Sequence, residues 1–278
     1  MWVDHLTLAV HHIEAFDEVV RDLGLLRRAA PPLFGGTERA VVPLSQGFLE
    51  LVAVSDRPRA RQYTLGRALL RFLAAGEGIF RVVAGVPDLD RFIRERAALG
   101  VHYWPPIDEQ ITGIGPTPIP IRLTQMEPML PWIMAYQKPQ HRDTESSVRL
   151  AVVDVQSLNP VMTAVQFRMA LGPPLNTPPP GGTAVMDLDN VTFRFCRGAY
   201  TGFSSLLLEG EAASAAIEMR EGPYPPPCCE PDELPKNGSL SGEGPHRKTS
   251  SASSVPWSAF PCRIRRYGWS WRITSSCQ

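Results

Sequence analysis

The stretch "VDHLTLAVHHIEAFDEVVRDLGL", residues 3–25, decides how the rest of the chain is read. "HLTLAV" is short, β-capable and alternating, which suits a strand. "IEAFDEVVRDLGL" follows at once and sets Ile13, Phe16, Val19, Val20 and Leu23 at helical spacing, so one stripe can face a sheet. Gly24 supplies a helix stop. Beyond the loop "RRAAPPLFGG" stand two apolar runs, "TERAVVPL" and "GFLELVAV", with Gln46-Gly47 between them as a hairpin turn. The unit reads β-α-β-β. Gly35-Gly36-Thr37 has neither the glycine spacing of a phosphate cradle nor a helix after it, so it reads as a turn feeding a strand.

The pattern returns twice. "FRVVAGVPDLDRFIRERAALGV" again gives a strand, a turn and an amphipathic helix, and placing Asp88 on His12 sets an offset of 76 residues. "PIRLTQ" and "LPWIMAYQ" supply its later strands, and "ARQYTLGRALLRFLAAGEG" forms a helix between the two units. A third echo begins at "SVRLAVVDVQSLNPVMTAVQFRMALGP"; placing Asp154 on His12 sets an offset of 142. In this alignment Asp88 and Asp154 are helix-capping residues. A repeated unit of roughly 65 to 75 residues weighs more than any single motif. "LGPPLNTPPPGG" reads as a proline-rich loop. From Glu221 onward the chain is rich in Pro and Ser and lacks periodicity, so it is expected to stay disordered. Its scattered tryptophans and cysteines also suit a shifted reading frame or a retained intron, which comparison of transcript and exon boundaries tests.

The 278 residues are 44% hydrophobic and carry 28 basic against 28 acidic side chains, a formal net charge of zero. That balance argues against a nucleic-acid-binding face or a polybasic membrane surface. No run approaches the roughly 20 apolar residues of a membrane span, and the N-terminus has no secretory pattern. The five cysteines form neither a disulfide framework nor a zinc pattern, so a cytoplasmic setting is expected.

"DHLTLAV", "FGGTERAVVPL" and "GFLELVAV" together resemble the glyoxalase-like domain of the vicinal oxygen chelate superfamily, best over residues 3–137 and more weakly over 148–210. The resemblance implies an α+β fold in which repeated β-α-β-β(-β) modules form a half-open, cup-shaped sheet around a small-molecule site. Residues 1–145 would be paired modules, 146–220 a third, weaker one, and 221–278 the disordered tail. It also implies a divalent metal (zinc, iron, nickel or manganese) on His5 and Glu50, with a small-molecule ligand and a homodimer as partners. Leu49 and Leu51 flank Glu50, so the carboxylate can point into the cup while its neighbours pack outward.

The second half of the ligand set differs. Arg81 stands where the second module would carry its histidine, and Ser147 stands there in the third. Ala135 falls near the place of the second acid, and Arg39 replaces the amide common after Gly-Thr. A two-ligand site could recruit His102 or His141.

Two function classes follow. One is a glyoxalase-like lyase, isomerase or dioxygenase, with metal on His5 and Glu50 and Glu50 assisting proton transfer. The other is a non-catalytic small-molecule binding or sequestration protein on the same fold; an inactive, degenerate product is a third reading. Without metal, His5 would be a strand-end histidine, and Glu50 would pair with an arginine such as Arg39. Arg39, Trp104, Arg122, Trp132 and Tyr136 are the candidate pocket residues. His11 and His12 read as turn and helix-entry residues.

Overall fold

The structure, a computed structural model, describes residues 1–112, 118–126, 130–137, 146–173, 175–176, 183–210 and 214–218. Most of the proline-rich segment, His141 and the tail from Glu221 lie outside these residues.

The opening stretch folds as its pattern predicts. Strand β1 (Trp2–Ala9) is followed by a 3-10 turn (Ile13–Phe16) that runs into helix α1 (Asp17–Asp22). Ile13, Phe16, Val19, Val20 and Leu23 are all buried along one stripe. Each such side chain contributes about 1.5–3 kcal/mol on leaving water. Then come β2 (Arg28–Ala30), β3 (Thr37–Pro43) and β4 (Phe48–Val54). The β3–β4 hairpin turns at Gly47, whose φ of +79° suits glycine. A Cβ there would lie 2.2 Å from the carbonyl oxygen of Asp4.

Two connecting helices, α2 (Arg57–Ala60) and α3 (Thr64–Ala75), lead to the second module: β5 (Gly78–Gly85), α4 (Leu89–Ala97), β6 (Ile107–Thr112), β7 (Pro118–Thr124) and β8 (Trp132–Tyr136). Asp88 caps α4, accepting a 2.9 Å bond from the Arg91 N–H. The third module comprises β9 (Arg149–Ser157), α5 (Pro160–Leu171), β10 (Leu175–Asn176), β11 (Ala184–Asp187) and β12 (Thr192–Arg197). The hairpin of β13 (Gly202–Glu209) and β14 (Ser214–Glu218) follows.

The result is the expected α+β fold with two sheets. The first has eight strands in the order β2-β3-β4-β1-β5-β8-β7-β6 and curls into a half-barrel. Within each of its modules the first and last strands are parallel, β1 with β4 and β5 with β8, and the modules join through the antiparallel pair β1–β5. The second sheet has six strands in the order β10-β11-β12-β9-β13-β14. One continuous core holds Leu6, Leu8, Phe16 and Leu49 of the first half together with Val153, Phe167, Phe193 and Phe195 of the second.

The third module departs from the expected alignment. Asp154 does not cap a helix; it lies mid-strand in β9, where Arg194 of the neighbouring strand binds both carboxylate oxygens at 2.6 and 2.7 Å. Asn159 caps α5 instead, accepting from the Met162 N–H, with Pro160 as first helical residue. The offset is therefore 147, and Val152 rather than Ser147 matches His5. A satisfied carboxylate let the strand run past the point where a polar residue would signal its end.

Asn190, in the turn between β11 and β12, ties the halves together. Its Oδ1 accepts from the Val3 N–H at 2.8 Å and its Nδ2 donates to the Val3 carbonyl at 2.9 Å. Removing both contacts leaves two part-buried backbone groups of β1 unpaired. Asn190→Ala is expected to lower stability by about 1–3 kcal/mol, read as a lower urea midpoint at unchanged slope.

Candidate functional site

The concave face of the half-barrel carries a row of polar side chains across four adjacent strands. Glu50, on β4, is 2% exposed, while its flanking leucines are fully buried in the core on the opposite face. Arg39, on β3, donates from Nε to Oε1 of Glu50 at 2.6 Å. Thr7, directly opposite Glu50 on β1, donates its hydroxyl to Oε2 at 2.6 Å. Arg81, opposite Thr7 on β5, reaches Oε2 from Nη2 at 3.2 Å and the Thr7 hydroxyl from Nε and Nη2 at 3.3 Å. The Arg81 guanidinium carbon sits 4.5 Å from the ring centroid of Trp132 on β8, a cation–π contact.

These contacts set the charge state. Burial pushes the Glu50 carboxyl up, but Arg39 and Arg81, with the Thr7 hydrogen bond, outweigh it and bring it down to about 2. Burial pushes the Arg81 guanidinium down, and Glu50 opposes that shift.

His5 lies on β1, 7% exposed, with its ring stacked on Phe48 at 4.6 Å and 9°. Its Nδ1 is 2.9 Å from Oδ2 of Asp4. Asp4 is fully buried and accepts from the Tyr136 hydroxyl at 2.9 and 3.0 Å and, more weakly, from the Trp2 indole at 3.4 Å. Consecutive strand residues ordinarily face opposite ways. A bulge between Val3 and His5, where β1 slips against β5, accompanies their meeting. The Asp4–His5 contact was invisible to periodicity, and the dipeptide Asp-His was its one visible trace.

These side chains line a cavity of about 340 Å³. Its floor is His5, Arg39, Glu50 and Arg81; its walls include Leu33, Phe48, Val83, Ile121, Leu123, Trp132 and Met134, with exposed Glu109 of β6 also lining it. That volume sits at the small end for ligand pockets.

Of the candidate pocket residues, Arg39 and Trp132 line this cavity. Tyr136 stands behind it, on Asp4. Trp104 is 59% exposed, and Arg122 pairs with Asp90 at 2.6 Å; neither lines the cavity. His102 is exposed and likewise does not line it.

The 76-residue offset holds in space: His5 pairs with Val83, and Thr7 with Arg81. Arg81 is thus the counterpart of His5. Thr7 pairs with Glu50 as Val83 pairs with Trp132, so the counterpart of Glu50 is Trp132, not Ala135, which faces the core. The four symmetric positions hold histidine, glutamate, arginine and tryptophan.

This set does not fit a divalent metal. Both Glu50 oxygens are taken by cationic or hydroxyl donors, Nδ1 of His5 is on Asp4, and a guanidinium occupies the place of a third ligand. Among the described residues no group of three His, Cys, Asp or Glu side chains could hold an ion.

The same geometry sets the response to acid. Glu50 ionises at about 2 in the fold against an ordinary 4.5, so its stabilisation is complete above pH 4.5 and is lost as pH falls towards 2. The loss is on the order of 3 kcal/mol. Urea unfolding of wild type and Glu50→Gln from pH 7 to 2 should show a shallower acid decline in the variant, which at neutral pH starts about 3–5 kcal/mol lower because its arginines lose their counter-charge.

Comparison with known proteins places this geometry in context. The model of the glyoxalase-like domain matches residues 3–166. A solved structure of a hypothetical protein from Staphylococcus aureus superposes with a TM-score of 0.63 at 13% identity, covering 80% of this chain and 96% of that one. Methylmalonyl-CoA epimerase from Mycobacterium tuberculosis matches at TM-score 0.37 and 20% identity over 50% of this chain and 89% of its own. A mutant 4-hydroxymandelate synthase from Streptomyces coelicolor matches at 0.44 and 16% over 70% and 62%. No curated protein matches the chain. Among the described residues no helix is long and apolar enough to cross a membrane.

Proposed function

This chain belongs to the glyoxalase-like domain family, and we propose that it is a metal-independent member whose cup binds a small organic anion, a carboxylate on an apolar body. The observation that carries this reading is the state of Arg81. Arg39 meets Glu50 at 2.6 Å, whereas the bonds of Arg81 to Glu50 and Thr7 are long, at 3.2 and 3.3 Å. Nη1 of Arg81 has no partner among the described residues, and Arg81 lines the cavity. Arg39 already balances Glu50, so the second guanidinium leaves positive charge on the floor for a ligand.

The walls support an apolar body, since Phe48, Val83, Ile121, Leu123 and Met134 surround that charge. Glu50 is poorly matched to proton abstraction near neutral pH, because a carboxyl held at about 2 is a weak base. That favours the binding reading over the metal-assisted lyase, isomerase or dioxygenase.

Hexanoate against hexanamide, measured by calorimetry on protein treated with chelator, tests the proposal. Hexanoate should bind at least about tenfold more tightly, a difference of about 1.4 kcal/mol, and Arg81→Met should remove the preference. Equal binding of acid and amide, or a strict need for one equivalent of divalent metal, overturns it.

A further inference from the structure

We infer that Asp4 and His5 form a second recognition element in this pocket and that its ligand is a short hydroxy acid. The inference rests on the anion reading above, with the carboxylate on Arg81. Asp4 is fully buried, and a carboxylate only accepts hydrogen bonds. Tyr136 and Trp2 donate to it, so the 2.9 Å contact to His5 places the proton on Nδ1. In the neutral ring Nε2 then carries the lone pair. It has no partner among the described residues, and His5 lines the cavity.

The acceptor is held in place. Stacking on Phe48 fixes the ring plane, and Asp4 fixes its rotation within that plane. Asp4 is in turn fixed by Tyr136 from β8, a strand of the other module. So much support around one ring atom matters because a preorganised acceptor loses little entropy on binding.

His5 and Arg81 are diagonal neighbours on the antiparallel strands β1 and β5. Such pairs lie about 7–8 Å apart and share a face. A ligand with its carboxylate on Arg81 therefore presents its proximal carbons to Nε2, and a hydroxyl there would donate to it. An ammonium could also donate, but it brings three N–H donors and gives up a hydration shell, and Nε2 offers it one acceptor. The site selects a hydroxyl over an amine.

The test compares 2- and 3-hydroxyhexanoate with hexanoate and with 2-aminohexanoate by calorimetry. The better of the two hydroxy acids should bind about five- to tenfold more tightly than hexanoate, and the amino acid more weakly than either. His5→Phe removes the acceptor and should bring the ratio of hydroxy acid to hexanoate affinity to about one.

Asp4 is a positioning residue. Asp4→Asn can donate to Nδ1, moving the ring proton to Nε2; a hydroxyl can still accept from it, so the expected change is at least about fivefold tighter binding of 2-oxohexanoate, whose keto oxygen only accepts. Arg122→Ala, outside the cavity, should leave both affinities unchanged. A wild-type hydroxy-acid ratio of one, a ratio that survives His5→Phe, or a 2-oxohexanoate affinity unmoved by Asp4→Asn overturns the inference. Loss of the hexanoate-over-hexanamide preference instead marks failure of the anion reading itself.

Discussion

A carboxylate 2% exposed at the bottom of a cup is the constraint around which the concave face is arranged. Left alone, an ionised Glu50 would cost several kcal/mol or would give up its charge. Here Arg39, Thr7 and Arg81 reach it from three other strands, so one charge is answered from β3, β1 and β5 at once. The same arrangement specifies strand register. A one-residue slip of β4 would turn Glu50 into the core and Leu49 or Leu51 into the cup, breaking the ion pairs and exposing apolar surface together.

The second sheet supplies an internal comparison. Its joint between β9 and β13 repeats the two register shifts seen between β1 and β5. The places of Thr7, Glu50 and Arg81 are taken there by Asp154, Arg194 and Ser205. A carboxylate again meets a guanidinium, here across the parallel strands β9 and β12 where Arg39 and Glu50 meet across the antiparallel β3 and β4, and Ser205 donates to Asp154. The acid has moved from the fourth-strand position to the first, with one arginine instead of two. Arg194 is also 47% exposed, whereas the Arg39 and Arg81 side chains are at most 9% exposed. The module architecture therefore specifies a polar row, while the residues placed in it decide whether uncompensated charge remains for a ligand.

Much of this was legible in the sequence. Helical spacing located the buried stripe from Ile13 to Leu23, glycine located the β3–β4 turn, and alternation aimed Glu50 into the cup. The alternative reading of Glu50, an ion pair with Arg39, is the contact observed. Three features were not legible. Pairing Asp4 with His5 accompanies a bulge, which reverses the parity that alternation assumes. The alignment of the third module failed because Asp154, a residue type that signals a helix start, is neutralised by Arg194 from a strand about 40 residues away. Trp132 was assigned to the pocket but not to the counterpart of Glu50, since that depends on the register of β5 with β8.

Trp132 also explains why Arg81 keeps a charge to offer. A metal ion would polarise a bound oxygen, but it needs several anionic or neutral donors converging on one point. A guanidinium needs no such cage and is permanently charged, yet two carboxylates beside it would cancel that charge before a ligand arrived. At the place symmetric to Glu50 an acid would do that. An indole face does not: it attracts the cation through its quadrupole and removes no net charge. Arg81 is thereby fixed on one side by an aromatic surface and loosely on another by Glu50 and Thr7. Arg81 lines the cavity, where a carboxylate can meet its Nη1.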